Sequence, residues 1–247
     1  MITQYHRPPT LEEALKLLSQ PDTRPLGGGT VLTQRSDESF SVVDLQALGL
    51  DKIRKTGNNL EIGATVTLQS LLESPHTPAA LKAALNLEAP LNLRSMGTVA
   101  GALVTCDGRS PFGAVMLALD AKMTFAPGKE QIMLGNYYPL RVGAPGKLIT
   151  KIEIPLNIKL AFETVARTPA DKPIVCAALA QWPSGRTRLA LGGWGLAPTL
   201  AMDGNEPGGV EEAARNAAAE AGDEWASAEY RSEVAAVLAK RCLEHLQ

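Results

Sequence analysis

The sequence predicts an α+β protein with more than one domain, and three observations lead to that prediction. Its 247 residues exceed the roughly 150 that are usual for one domain. Hydrophobic residues make up 45% of the chain and charged residues 20%, which is the composition of a protein with buried cores. Strand and helix patterns alternate as far as Pro155, whereas a run of strands and then two alanine-rich helices follow it. This change of pattern indicates that a new unit begins near residue 158.

The first unit, residues 1–54, has the pattern of a small α/β domain. Thr10 and Glu13 form a capping box, in which the hydroxyl and the carboxylate satisfy backbone donors at the start of a helix. The helical pattern that follows ends at Pro21. A short strand is expected before the next glycine run, and residues 41–45 (SVVDL) form another.

The second unit extends over residues 55–157 and mixes both kinds of element. Thr67 is expected to cap one of its helices. The predicted helices are 68–72, 79–87 and 111–119, and the predicted strands are 59–64, 121–125 and 148–154. Residues 95–110 are expected to form a loop between them.

The third unit, residues 158–247, begins with strands joined by turns and ends with helices. The predicted strands are 161–166, 174–181 and 187–191, and the predicted helices are 209–221 and 228–246.

Several classes of protein are excluded by the same sequence. The longest uncharged runs, 95–106 and 189–202, are shorter than the ~18 residues of a membrane helix, so no membrane span is expected. Residues 1–8 lack the apolar core of a secretory signal, which predicts a cytoplasmic protein. A net charge of −2 without a basic block predicts no nucleic-acid partner.

The cysteines and histidines do not have the spacing of metal ligands. Cys106, Cys176 and Cys242 are far apart, so this chain is not expected to hold an iron–sulfur cluster by itself. The three histidines, His6, His76 and His245, are equally scattered.

Two loops of small residues are the informative motifs. Leu26–Thr30 (LGGGT) lacks Cβ atoms at three successive positions, so its amide groups could curl around an anion and a phosphate could approach the backbone. Ordinary turns, however, explain most glycine triplets, so this run taken alone is a weak signal. The second loop, 94–102 (RSMGTVAGA), has neither the Gly-Lys-Ser/Thr of a Walker loop nor a GxGxxG fingerprint. Two such loops suit a long ligand with a central pyrophosphate.

In these motifs the sequence resembles the FAD-binding medium subunit of molybdenum hydroxylases, the carbon monoxide dehydrogenase and xanthine dehydrogenase family, over nearly the whole chain. Residues 26–30 match the family's Ala-Gly-Gly-Thr loop, and 94–101 match its Arg-Asn-x-Gly-Thr-Ile-Gly-Gly loop. Further similar segments are 5–14, 60–68 (LEIGATVTL), 117–121 (LALDA), 191–194 (LGGW) and 227–231 (SAEYR).

The resemblance implies a fold and a set of cofactor contacts. The fold would be two α/β FAD-binding subdomains of the PCMH type with FAD between them, followed by a C-terminal domain with a three-stranded antiparallel sheet and helices. Asp107 would lie along the adenosine half of FAD, and Ile149 would contact adenine. The other residues implied to hold FAD are Leu26, Gly27, Gly28, Gly29, Thr30, Val31, Leu32, Gly97, Thr98, Val99, Ala100 and Gly101.

The resemblance also implies an oxidoreductase subunit that works in electron transfer. A large partner subunit would hold the molybdenum cofactor, and a small partner would hold [2Fe-2S] clusters. The flavin of this chain would pass the electrons to NAD or another acceptor. Alone, the chain would be inactive on the hydroxylase substrate.

Four positions depart from the family's pattern. Val31 replaces a polar residue, Ala100 replaces a glycine, Pro111 replaces an aspartate, and Glu163 replaces a lysine near the isoalloxazine. If position 100 required a positive φ, alanine there would cost on the order of 1 kcal/mol. The alternative function is therefore a family member with weakened or lost FAD binding that acts as a scaffold or maturation partner. A self-contained flavin oxidase is a further alternative, although residues 158–247 are short for a substrate-capping domain.

Other residues near these motifs have simpler interpretations. Asp107 and Arg109 would be solvated loop residues if they do not contact a cofactor. The three tryptophans, Trp182, Trp194 and Trp225, are expected to anchor a core or an interface. Cys106 is expected to be a small buried hydrophobe.

Overall fold

The computed structural model describes residues 1–35, 37–140 and 146–247. The strands are β1 (Ile2–His6), β2 (Thr23–Leu26), β3 (Phe40–Asp44), β4 (Ile53–Thr56), β5 (Asn59–Gly63), β6 (Lys122–Ala126), β7 (Glu130–Met133), β8 (Leu148–Pro155), β9 (Lys159–Val165), β10 (Val175–Gln181), β11 (Thr187–Gly192) and β12 (Thr199–Gly204). The helices are α1 (Leu11–Leu18), α2 (Leu68–Glu73), α3 (Ala79–Glu88), α4 (Leu91–Met96), α5 (Val99–Thr105), α6 (Pro111–Ala118), α7 (Leu134–Leu140), α8 (Val210–Ala217) and α9 (Ala228–Leu246). None of the helices in the described ranges has the length and apolar character that a bilayer span requires.

The chain divides into two compact units. The first comprises Met1–Pro75, Leu91–Thr105 and Lys122–Glu153, and the second comprises His76–Pro90, Cys106–Ala121 and Ile154–Gln247. The division at residues 54 and 157 stays a prediction; residue 54 lies within β4, the first strand of the five-stranded sheet described below.

The first unit contains a three-stranded sheet with the order β1-β3-β2, in which both outer strands run parallel to β3. Helix α1 lies between β1 and β2 in the chain, and the hydroxyl of Thr10 accepts a hydrogen bond from the amide of Glu13 at 3.3 Å, as the capping motif predicts. Ala14 and Leu18 of α1 pack against Val43 of β3. Because the strands are parallel, the carboxyl ends of β2 and β3 meet at one edge of this sheet.

The first unit also contains a five-stranded sheet with the order β4-β5-β8-β6-β7. Strand β6 runs antiparallel to both of its neighbours, and β4 runs antiparallel to β5. Leu60 and Ile62 of β5 and Met123 of β6 are fully buried, and so is Ile152 of β8. These apolar side chains give the sheet a buried face.

The second unit is built on an antiparallel sheet with the order β12-β11-β10-β9. Val175, Ala177 and Leu179 of β10 share a core with residues of α8 and α9. Side chains alternate along a strand, so Cys176 points to the opposite face. Helix α6 packs there, with all eight of its residues buried. Both faces of the sheet are thus covered, which explains why β10 is a continuous apolar run.

Two expectations from the sequence are corrected by this fold. The C-terminal sheet has four strands rather than three, because β12 pairs with β11. Strand β12 is a half-exposed edge strand whose apolar residues are only the three at 200–202. Residues 95–110 are not one loop, since α5 occupies Val99–Thr105. Its sequence, VAGALVT, contains a glycine and β-branched residues with low helix propensity, so tertiary contacts must stabilise it.

Candidate cofactor-binding site

A cavity of about 900 Å³ lies within the first unit. Its volume is near the upper end of the roughly 300–1,000 Å³ that is usual for small-molecule and cofactor sites. The residues predicted from the sequence that line it are Gly27, Gly28, Gly29, Thr30, Val31, Leu32, Thr98, Ala100, Gly101 and Ile149. Both small-residue loops therefore meet at one cavity.

The first loop, as it lines the cavity, extends over residues 27–32, which are the glycine run and the three residues after it. It starts at the carboxyl end of strand β2. Gly29 has a φ of 73°, a left-handed conformation that glycine adopts without strain. The loop closes through the amide of Thr33, which donates to the carbonyl of Gly29 at 3.1 Å. Among the described residues, the amides of 28–32 donate to no acceptor. These amides, together with the hydroxyl of Thr30, can donate to an anion in the cavity.

The second loop is fixed by backbone hydrogen bonds to the segment that links β5 to α2. The amide of Leu68 donates to Gly97 O at 2.9 Å, and the amide of Val99 donates to Val66 O at 2.8 Å. The hydroxyl of Thr98 accepts from the amide of Gly101 at 3.2 Å and so caps the start of α5. This segment is consequently a rigid wall of the cavity.

The two loops pack directly on each other, and this contact explains two of the glycines. A Cβ atom on Gly28 would overlap the backbone carbonyl of Met96, and one on Gly27 would lie 2.7 Å from Thr98 Oγ1. From the sequence alone, an ordinary turn or the approach of a phosphate would explain these missing side chains. In the structure, contact between the loops is what requires glycine at both positions.

The cations at the cavity are already paired with carboxylates. Arg24 Nη2 lies 2.5 Å from Glu38 Oε2, and the Arg24 guanidinium also lies over the ring of Phe40. Lys147 Nζ lies 2.6 Å from Glu130 Oε2. A bound diphosphate would therefore be stabilised mainly by the amides and hydroxyls of the two loops.

A second part of the cavity wall is apolar and partly aromatic. Phe125, Ile132, Tyr137, Leu148 and Ile149 line it, and the ring centroids of Phe125 and Tyr137 are 6.3 Å apart. Such a surface suits a flat heteroaromatic ring. The cavity thus combines free amide donors with an apolar wall, which fits a ligand that carries both a diphosphate and a planar base.

Four predicted site residues do not line this cavity. Leu26 ends strand β2, and Gly97 and Val99 are buried residues of the second loop that do not reach the cavity surface. Asp107 belongs to the second unit, where its carboxylate lies 2.6 Å from Lys172 Nζ. Arg109 is not simply solvated either, because its guanidinium donates to the carbonyls of the 172–173 segment.

The structure shows where the four residues that depart from the family's pattern lie. Ala100 is the second residue of α5, so its backbone is helical and the expected strain at a positive φ is wrong. Val31 lines the cavity and is half exposed. In the second unit, Pro111 is the buried first residue of α6, and the carboxylate of Glu163 lies 3.3 Å from His245 Nδ1.

The cysteines and tryptophans take the simpler of their possible roles. All three cysteines are buried, as expected for Cys106. Trp194 packs against the core of the second unit, whereas Trp225 is half exposed and lies under the guanidinium groups of Arg109 and Arg167.

Several cavity residues are not apparent from the sequence. Leu45 directly follows β3 and lines the cavity. Ligands often bind at the carboxyl ends of parallel strands, and this rule could have indicated Leu45 as a cavity residue. Ala64, Phe125 and Tyr137 come from elements far apart in the chain, and no local pattern marks them.

The fold and the cavity together define a protein that binds a dinucleotide-like cofactor. Residues 1–157 match the sequence family described as FAD binding domain in molybdopterin dehydrogenase, and the chain belongs to that family. FAD is accordingly the cofactor of the chain. The free amides and the apolar wall of the cavity fit the diphosphate and the rings of FAD.

Individual relatives agree with this membership. The chain is 32% identical to the uncharacterized protein YgfM of Escherichia coli, over 78% of this chain and 75% of that protein. It is 29% identical to the carbon monoxide dehydrogenase medium chain of Afipia carboxidovorans, over 97% of this chain and 95% of the relative. It is 28% identical to the glyceraldehyde dehydrogenase medium chain of Sulfolobus acidocaldarius, over 81% of this chain and 78% of the relative.

Solved structures show the same fold. A chain of the cyanide-inactivated Cu,Mo-CO dehydrogenase superposes with a TM-score of 0.80 and 26% identity, over 100% of this chain and 98% of that one. A chain of quinoline 2-oxidoreductase from Pseudomonas putida 86 has the same fold, with a TM-score of 0.80, 23% identity and coverage of 98% and 96%. The α+β fold class and the family predicted from the sequence are confirmed.

Proposed function

We propose that this chain is the FAD-carrying electron-transfer subunit of a molybdenum hydroxylase with several subunits. The observation that carries the proposal is the cavity where two small-residue loops meet, in a chain that aligns over 97% of its length with a carbon monoxide dehydrogenase medium chain. Bound FAD supplies the redox chemistry, since its isoalloxazine can take up electrons and release them to an acceptor.

The residues of the chain bind and orient this cofactor. Amides of the loop 27–32 and the hydroxyls of Thr30 and Thr98 donate to the pyrophosphate, which lowers the cost of bringing its charge into the cavity. The apolar wall around Phe125 and Ile149 excludes water from the adenine. None of these steps requires an acid or a base from the protein. Asp107, which does not line the cavity, stays a prediction.

The proposed partners are a large molybdenum-cofactor subunit and a small [2Fe-2S] subunit, and the proposed acceptor is NAD or another electron carrier. One feature of the described residues supports partners. Helix α4 has no buried residue and exposes Leu91, Leu93 and Met96, an apolar surface of the kind that partner subunits cover. The cytoplasmic location expected from the sequence belongs to the same proposal.

The test is an absorbance spectrum of the purified chain with and without added FAD, followed by a titration of FAD fluorescence. The expected result is one flavin per chain and no hydroxylase activity of the chain alone. Purification from the native source should recover a large molybdenum subunit and a small cysteine-rich one. Recovery of those partners without flavin uptake would favour the scaffold or maturation role, and isolation of a lone, active oxidase would contradict the subunit role.

A further inference from the structure

Thr98 occupies a fixed place between the two loops of the cavity. Its side chain is buried, with a residue exposure of 7%, and its backbone forms an antiparallel bridge with Thr67. The hydrogen bonds of Gly97 and Val99 to the 66–68 segment flank it on both sides. Thr98 therefore cannot shift without breaking this short ladder.

The side chain of Thr98 fills the space above two glycines. A Cβ atom on Gly27 would lie 2.7 Å from Thr98 Oγ1 and 3.1 Å from its Cγ2, and one on Gly101 would lie 2.9 Å from Oγ1. Thr98 Oγ1 also accepts the hydrogen bond of the Gly101 amide. One side chain thus contacts the first loop and the start of α5 together.

Local hydrogen bonds close the first loop, since the carbonyls of Gly29, Thr30 and Val31 accept from Thr33 and Gln34. Its amides 28–32 have no acceptor in the described part of the chain, so these amides do not tie the loop to the second one. Gly27 packs on the side chain of Thr98, and Gly28 packs on the backbone carbonyl of Met96.

We propose that Thr98 is a positioning residue that sets the first loop for FAD, and that Gly27 and Thr98 act as a sterically coupled pair. This inference rests on the proposed FAD site. This role is additional to the proposed donation by the Thr98 hydroxyl to the pyrophosphate, because here the side chain acts through the backbone of Gly27. Shortening the Thr98 side chain should therefore shift the backbone amides of the loop 27–32, although these amides belong to other residues.

The test is a double-mutant cycle on the chain without its partners, read by FAD titration with flavin fluorescence. Gly27→Ala and Thr98→Ala should each weaken FAD binding about tenfold, which corresponds to about 1.4 kcal/mol. The double variant should bind FAD more tightly than Gly27→Ala alone, because the smaller side chain makes room for the new Cβ. Thr98→Ser, which keeps Oγ1, should stay within about threefold of the unmodified chain.

Gly28→Ala is the matched control. Its Cβ would overlap a backbone carbonyl, which no change at position 98 can remove, so Gly28→Ala with Thr98→Ala should show no recovery. Thermal unfolding of all variants without FAD measures the same coupling independently of the cofactor. The inference would be overturned if folded Gly27→Ala and Thr98→Ala bound FAD as tightly as the unmodified chain. It would also be overturned if the effects of the two substitutions on FAD affinity were purely additive in the double variant. Failure of the unmodified chain to bind FAD would contradict the proposed function instead.

Discussion

The carboxylate of Glu88 accepts a hydrogen bond from the hydroxyl of Ser110 at 2.8 Å. The same carboxylate accepts from the amide of Phe112 at 3.0 Å, and Ser110 Oγ accepts from the amide of Gly113 at 2.9 Å. Glu88, at the end of α3, and Ser110 together satisfy the backbone donors at the start of α6. Burial raises the pKa of Glu88 above its ordinary value of 4.5, although these hydrogen bonds and Lys172 oppose the rise.

We expect Glu88→Gln to flatten the dependence of stability on pH. An acid whose pKa is higher in the folded protein ionises first in the unfolded chain, so the free energy of unfolding falls as pH rises from about 4.5 through the folded pKa. Glutamine removes this loss and can still accept from Phe112. Urea unfolding at several pH values measures the effect, with the exposed Glu220→Gln as the control. An equal pH profile for Glu88→Gln and the unmodified chain would contradict the expectation.

Arg231 is the fully buried centre of a second network, in α9. Its guanidinium donates to the carbonyls of Ile174, Ala221 and Gly193 and lies 2.8 Å from Asp223 Oδ1. Arg231→Met would remove this donor from the three carbonyls and the paired cation from Asp223, and we expect a loss of about 3–5 kcal/mol in the free energy of unfolding.

Arg215→Met is the matched control for Arg231→Met. Arg215 pairs with Glu233 at the surface, and such pairs contribute about 0–1 kcal/mol. Urea unfolding compares the two variants. Similar losses for both would show that the buried network contributes no more than a surface pair.

Gly29→Ala should weaken both stability and FAD binding. The φ of 73° is unfavourable for alanine, at a cost of about 1 kcal/mol, and relief of this strain would move the loop amides. Gly57, in the turn between β4 and β5, has a φ of 58° and does not line the cavity. Gly57→Ala should therefore lose similar stability in thermal unfolding yet titrate FAD like the unmodified chain. Equal FAD affinities for the two variants would argue against a role of Gly29 in the site.

Ala100→Gly should not tighten FAD binding. Because Ala100 lies in α5, glycine there gains no relief from strain and costs about 0.5–1 kcal/mol of stability. Ala102→Gly, also in α5 but away from the cavity lining, should cost a similar amount. Thermal unfolding and FAD titration of both variants check this expectation, and a tighter complex with Ala100→Gly would refute it.

The resemblance and the local motifs predicted the two loops of the site but not its complete wall. Nine of the predicted residues line the cavity because they belong to the two loops, each a continuous segment whose members follow one another in space, and Ile149 of β8 also lines it. Phe125 and Tyr137 line it too, yet their neighbours in the sequence give no sign of this position.

The sequence by itself determined the features that depend on nearby residues. The hydroxyls of Thr10, Thr67 and Ser227 cap helices through hydrogen bonds three residues along the chain. The strands and helices that the sequence did predict follow from local periodicity. Only the tertiary structure decided why Gly28 must be glycine, that α5 forms, and that β12 joins its sheet. Each of these depends on a partner brought near by the fold: the carbonyl of Met96, the 64–68 segment and the open edge of β11. Such contacts form only when distant segments pack, and no local preference of the chain encodes them.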